Sequence, residues 1–371
     1  MEIFKVAQSD AKDVVAAVKS IKEQLSDMDA CMILYFASPS YPAEMICKEM
    51  AGAFADVPVV GCTTASEMGS GKMGRDSIVA MAWPEASIKD LKIEVLENIQ
   101  TDTDAVAKAF KSFEESLEIP MKHLDPARYV GMIMIDGLSG CEEMINDQIG
   151  NLTNVPFIGG SAGDNLIFRK TWLYMNDKAY TNAAILILME PANGYSILKT
   201  QSFDTTHHKL TPTKVDEKHR MVIEFNGKPA SKAYAEALEI SVDELAKNLG
   251  EYPVGLVFDE HNFFVRSPMK IEGTSIVFYC SIKEGLELTV LHSGDIVATT
   301  AADFTNAVQN CGGLQAVVDF NCCLRVNELT RKDQLKQYVK IFKDIPAIGF
   351  STYGESYIGH INQTSTMLLL K

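Results

Sequence analysis

One phrase is written three times in this chain, and its spacing restricts the fold more than any bulk property does. It reads VPVVGCTTASE from Val57 to Glu67, VPFIGGSAGD from Val155 to Asp164 and IPAIGFSTYGE from Ile345 to Glu355. Each copy runs from an apolar residue and a proline through an aliphatic to a glycine, then into small hydroxyl-bearing residues, and ends on an acid. With a weaker relative at Gly255 in EYPVGLVFDE, the glycines Gly61, Gly159, Gly255 and Gly349 fall 98, 96 and 94 residues apart. Such periods exceed those of solenoid repeats and suit duplicated half-domains.

The flanks of these glycines agree as well. An aliphatic strand stands upstream, a helical segment follows, and a second aliphatic strand lies downstream. The first copy has CMILYFA, the segment 43–55 and SIVAMAW; the second has VGMIMID, 141–151 and AAILILM; the last has LQAVVDF, 332–343 and TSTMLLL. Around Gly255 the pattern offers MVIEF, a long helix over 231–249 and PVGLVFD. These strands hardly alternate, as expected of strands covered on both faces. The proline before each glycine strand ends the preceding helix, because it cannot donate to the helical ladder and forces its predecessor out of the helical region. The expected fold class is α/β, with mixed sheets, flanking helices and two related lobes from an internal duplication. The predicted organisation is an N-terminal helix within 1–27, spanning Asp10 to Leu25, then modules over 28–205 and 206–371. A polar stretch around 195–220 marks the boundary between them.

Composition excludes several classes. With 371 residues, 47% hydrophobic and 22% charged, the chain describes a folded protein of more than one domain. A formal charge of −15 argues against nucleic acid or an anionic membrane as the main partner. The N-terminus lacks the pattern of a signal or transit peptide, and no stretch approaches the length of a membrane span. Eight cysteines without regular spacing, Cys322 and Cys323 adjacent, suit reduced thiols and a cytoplasmic location.

Taken together, the motifs resemble the FIST domain family. FIGGSAGDNLIFRKTWLYMNDKAYTNAAILILM is similar to the core of the FIST N-terminal module. The C-terminal module is echoed by VIEFNGKPASKAYAEAL, FFVRSPMKIEGTSIVFYCSIKEGLELTVL, the Cys-x-x-Arg of FNCCLR and GFSTYGESYIGHINQTSTMLLL. The resemblance covers roughly residues 28 to 370 and implies intracellular sensing of a small ligand, such as an amino acid, for signal transduction. It also implies a separate signalling protein as partner, such as a histidine kinase, a chemoreceptor or a cyclic-dinucleotide enzyme, since no output domain is recognised in the chain.

The residues themselves suggest how a ligand would be held. A glycine after an aliphatic strand lets backbone N–H groups approach a ligand, and hydroxyls add donors for a carboxylate or phosphate. Such turns sit at the carboxyl ends of strands, where α/β sheets bind ligands. The candidate pocket therefore takes Thr63, Thr64 and Glu67, Ser161 and Asp164, and Ser351, Thr352 and Glu355. Arg266 and Arg325 are the cations that would fix a carboxylate, and Cys322 and Asn362 join from the family-like motifs. The bland alternatives are that the glycines and serines merely make tight turns, and that the arginines pair with Glu67, Asp164 or Glu355. The function expected is non-catalytic binding of an amino acid or related small carboxylate, without a cofactor. Two alternatives stand beside it: a cysteine-dependent hydrolase or transferase using Cys322 or Cys62 with His360, and a haem-based nitric oxide sensor, a role implied by the family resemblance, with His360, His292 or Cys322 as axial ligand. No phosphate-loop, HExxH or paired CxxC motif is present, so no metal is expected, and His207 and His208 read as solvated linker residues.

Overall fold

A computed structural model describes residues 4–26, 28–259 and 262–371. Its contacts divide the chain into two units: Met1–Lys199 with Ala301–His360 and Ser365–Lys371, and Thr200–Thr300 with Ile361–Thr364.

The first unit is built from the three written repeats. In the first, strand Ala30–Ala37 leads through helix Ala43–Ala53 to a parallel strand, Val59–Thr63, and the chain returns antiparallel as Ile78–Pro84. The second runs Val130–Ile135, helix Glu142–Leu152, parallel Phe157–Ser161 and antiparallel Ala183–Pro191. The third runs Ala316–Cys322, helices Cys323–Arg331 and Leu335–Val339, parallel Ala347–Thr352 and antiparallel Ser365–Leu370. Three further strands, Lys5–Ser9, Ile88–Glu97 and Tyr195–Thr200, lie outside the three return strands.

The motif glycines occupy one place in this plan. Gly61 is in register with Tyr35, Gly159 with Ile133 and Gly349 with Asp319. A Cβ on any of them would stand 2.1, 1.8 or 2.4 Å from the carbonyl oxygen of that partner, so only glycine lets the parallel strands close. The prolines match too. The carbonyls of Pro58, Pro156 and Pro346 each accept a bond of 2.9 Å, from the backbone N–H of Ile33, Gly131 and Val317, and so open the parallel ladder although proline donates nothing.

Between the glycine strand and the return strand, each repeat sends out its next strand or hairpin, and that element joins another repeat's sheet. Glu67–Gly69 of the first repeat, hairpinned to Lys72–Gly74, pairs with Ala347–Thr352 of the third. Leu173–Met175 of the second, hairpinned to Lys178–Tyr180, pairs with Val59–Thr63 of the first. Glu355–Tyr357 of the third pairs with Phe157–Ser161 of the second. The exchange closes in a ring. One face of every sheet lines a shared core that includes Phe36, Met134, Ile158, Phe320, Phe350 and Leu368. In the first two repeats the other face packs under helices, with Tyr35 and Ala37 in one cluster and Ile133 and Ile135 in another.

The expectation of mixed sheets with flanking helices matches the structure, but the repeat relates three segments inside the first unit rather than one lobe to the other. Gly255 is not a fourth copy: it lies in Val254–Asp259, opposite Val265 and Thr289 of two antiparallel neighbours. Ahead of the N-terminal helix, which runs Val14–Gln24 with the Asp13 carboxylate capping Ala16 N–H, strand Lys5–Ser9 completes the first sheet. The helix expected over 231–249 is broken into Ala230–Ala237 and Val242–Asn248, because Glu239 turns into the left-handed region and Ser241 opens a capping box.

The second unit carries two antiparallel sheets. One orders Phe203–Leu210, Leu288–Ser293, Val254–Asp259 and Asn262–Arg266; the other orders Pro212–Asp216, Met221–Phe225, Ser275–Phe278 and Pro268–Glu272. The stretch read as a polar linker is therefore largely strand, since its Thr and His residues lie on half-exposed edges. Among the described residues no helix is long and apolar enough to cross a membrane.

Candidate functional site

The three motif turns meet in the first unit and bond to one another through their backbones. Gly163 N–H donates to Thr63 O at 3.0 Å and Asn165 N–H to Thr64 O at 3.1 Å. Ser351 N–H donates to Ser66 O at 2.8 Å, and Ala65 N–H to Ser351 O at 3.1 Å. Ser161 N–H donates to Gly354 O at 2.9 Å, and Tyr353 N–H to Ser161 O at 3.0 Å. Thr63, Thr64, Ser161, Ser351 and Thr352 are all buried. Much of the donor capacity that the sequence offered to a ligand is thus spent between the turns.

The acids divide into two kinds. Glu67 accepts from the Thr64 hydroxyl and from Ser77 Oγ at 2.8 Å, and Glu355 accepts from Thr352 Oγ1 at 2.5 Å, so the two sit alike three residues after a threonine. Asp164 does not match them. The second repeat carries extra residues before its hairpin, and Asp164 caps that loop, accepting from the N–H groups of Phe168, Arg169 and Lys170 at 2.8, 2.6 and 2.9 Å and from the Tyr353 hydroxyl. Equal sequence offsets therefore do not place the three acids in equivalent turns.

Burial pushes the Glu67 carboxyl up to about 7, against the lowering effect of its bonds to Thr64 and Ser77. A raised acid favours folding while protonated, so its contribution is full below about 4.5 and declines as pH climbs through about 7. Glu67→Gln is expected to flatten the pH dependence of the unfolding free energy from urea titrations between pH 5 and 8, by at most about 3 kcal/mol. Identical pH profiles for the variant and the parent would refute this assignment.

The third repeat breaks the pattern of the other two on its helix-facing side. Where the first repeat places Tyr35 and Ala37 and the second Ile133 and Ile135, the third places Asp319 and Asn321, in register with Gly349 and Ser351. Strand Ala316–Cys322 passes into helix Cys323–Arg331 without a loop, which brings Arg325 back over the strand end. Arg325 is 2% exposed and donates from Nε to Asn321 Oδ1 at 3.1 Å. Asp319 accepts from Ser365 Oγ at 2.6 Å and the Tyr338 hydroxyl at 3.1 Å. Its burial raises it to about 6, while Ser365, the Arg325 charge and Tyr338 pull the other way. Asn321 Nδ2 is buried without a hydrogen-bond partner among the described residues.

Sequence reasoning selected Arg325, Cys322, Ser351, Thr352 and Glu355 but missed Asp319, Asn321, Tyr338 and Ser365. The available signal was a lone acid inside the apolar run LQAVVDF. Arg325 lies within the field of Asp319, an acid not among the partners anticipated for it. Arg266 and Asn362 belong to the second unit. There Arg266 donates to the carbonyls of Ser281 and Val265, both at 3.2 Å, and Asn362 Oδ1 accepts from Ser267 N–H at 3.2 Å and the Cys280 thiol at 2.9 Å.

Two of the residues named for thiol and haem chemistry, Cys62 and His360, are closely packed. Cys62 is fully buried and its thiol is pushed well up by burial, the opposite of an activated thiolate. His360 has its Nδ1 3.4 Å from a Glu143 oxygen, and its Nε2 lies 2.0 Å from where a Cβ on Gly354 would be. Iron on Nε2 would require the Gly354 turn to move, so the arrangement does not fit a haem at His360.

Comparison with known proteins identifies the family. The FIST N domain model matches residues 31–228 and the FIST C domain model residues 230–357. The chain is also similar to an uncharacterized protein of Methanocaldococcus jannaschii, MJ1623, at 21% identity over 398 aligned positions, covering 95% of this chain and 75% of that protein. Its repeats, motif turns and matched domains make this chain a member of the FIST domain family, a family associated with sensing in signal transduction.

Proposed function

We propose that the protein is a non-catalytic sensor whose first unit binds a small carboxylate, an amino acid or a close relative, against Asn321 and Arg325. The observation that carries this reading is the polar layer of the third repeat. Two symmetry-related layers are apolar, and a buried acid, amide and guanidinium at the third weaken a core that symmetry would otherwise make hydrophobic; such departures concentrate at functional sites. The site sits at the carboxyl ends of parallel strands, where α/β sheets bind ligands. Asn321 Nδ2 supplies an unspent donor, and the guanidinium matches a carboxylate. Asp319 stands on the same strand as Asn321 and suits an ammonium group on the same ligand. Binding would be passed to a separate cytoplasmic signalling protein, such as a histidine kinase, a chemoreceptor or a cyclic-dinucleotide enzyme.

The test is differential scanning fluorimetry with glycine, glutamate, acetate and succinate. At a hundredfold excess over Kd a ligand is expected to stabilise the parent by about 2.7 kcal/mol. Asn321→Ala is expected to lose the ligand shift, and to melt below the parent without ligand because it removes the acceptor of the buried Arg325 Nε. No shift from any of these compounds would overturn the carboxylate reading. A Soret band on titration with haemin, lost in His360→Ala, would replace it with haem sensing.

A further inference from the structure

The second unit holds a cleft that the ligand reading does not use. In a regular strand adjacent side chains point to opposite faces. Strand Phe203–Leu210 departs from this: between Thr205 and Lys209 it advances four residues while its partner advances only two, from Leu291 to Thr289. The excess forms a bulge, a device that re-aims side chains and is frequent beside binding sites. Thr206 pins it, donating from Oγ1 to Val290 O at 2.7 Å and accepting from His208 N–H at 3.2 Å. As a result His207 and His208, neighbours in sequence, bring their rings to the same side, with centroids 3.9 Å apart and planes 41° apart.

The two rings line a cleft of about 350 Å³ with Lys209, Asn226, Lys228, Glu236 and the small side chains of Ala233 and Ala237. The charges around it are partly matched. Lys228 is 2.6 Å from Glu236, and Lys209 is 3.4 Å from Glu287 while donating to Thr289 Oγ1 at 2.7 Å. With both lysines balanced by carboxylates, protonation of the histidine pair leaves the cleft positive. Two imidazolium rings this close repel each other, and an anion bound against their edges offsets the repulsion. A cation is less suited, because four of the lining groups are basic.

The geometry points to a phosphate-binding site at this bulge, in which His207 and His208 hold a phosphate group with Lys228 and Asn226 as further donors. Binding is strongest where imidazole is protonated and weakens as pH rises. Isothermal titration of the full chain with inorganic phosphate, in an anion-poor buffer at pH 6 and pH 8, tests it. Affinity at pH 6 is expected to exceed that at pH 8 by at least tenfold, and to fall at least tenfold in His207→Gln and in His208→Gln. Both side chains project from the strand edge, so these variants should fold; Lys228→Ala, on another strand, gives an independent loss. Phosphate binding that is absent, indifferent to pH or unchanged in all three variants would overturn the proposal. So would binding of nickel by the histidine pair with no phosphate binding.

Discussion

Gly159→Ala is expected to cost about 3 kcal/mol or more, the upper range for overpacking, because the added methyl meets backbone rather than a side chain that could swing away. Its Cβ would lie 1.8 Å from Ile133 O, 2.7 Å from Ile133 C and 2.8 Å from Ile133 Cγ2. Relief requires the parallel pair Val130–Ile135 and Phe157–Ser161 to part, and Phe157–Ser161 also carries the strand donated by the third repeat. Gly61→Ala and Gly349→Ala should behave alike, with first contacts of 2.1 and 2.4 Å to the equivalent carbonyls. Gly150→Ala is the control: it lies in helix Glu142–Leu152 with nothing within 4 Å of its Cβ, and should gain about 0.5–1 kcal/mol. Urea midpoints of the four variants decide the matter. A loss below about 1 kcal/mol for Gly159→Ala would show that the motif glycine is not a steric requirement.

Arg325→Ala is the second large effect, expected at about 3–5 kcal/mol near pH 8, since it strands the buried Asp319 carboxylate without its cation. The sign of its pH dependence follows from Asp319. That acid is raised from 3.8 to about 6, so its ionisation opposes folding progressively as pH rises between those values. Below about 5 it is protonated, the arginine has less charge to balance, and the cost of Arg325→Ala should shrink. Replacing both partners, as in Asp319→Asn with Arg325→Met, should recover much of the loss, because an apolar substitute needs no counter-charge. Equal losses for Arg325→Ala at pH 5 and pH 8 in denaturant titrations would remove Asp319 from the explanation.

These two effects also mark where local pattern sufficed and where it did not. The glycines were legible because their cause is nearly local: a proline ends a helix, the next strand pairs with the strand just before that helix, and the pairing leaves no room for a Cβ at its middle residue. Arg325 was legible as a cation suited to a carboxylate, but Asp319 was not, because it stands inside an apolar run and only the return of the helix over the strand brings Arg325 within its field. Asp164 misled for the opposite reason. Its offset of five residues from Gly159 resembles the six of Glu67 and Glu355, yet the extra residues that follow it turn its carboxylate onto the N–H groups of their own loop.

The amino-acid sequence by itself determined that three segments share one plan of strand, helix, parallel strand and return, since hydrophobic runs, prolines and glycines act over a few residues and recur wherever they are written. Only the tertiary structure decided that the connecting strands and hairpins join other repeats' sheets in a closed ring, that Gly255 stands apart, and that two neighbouring histidines face the same cleft. Each of these depends on which strand edge or backbone irregularity is offered by residues far away in the chain, and a strand carries no local mark of the partner it will meet.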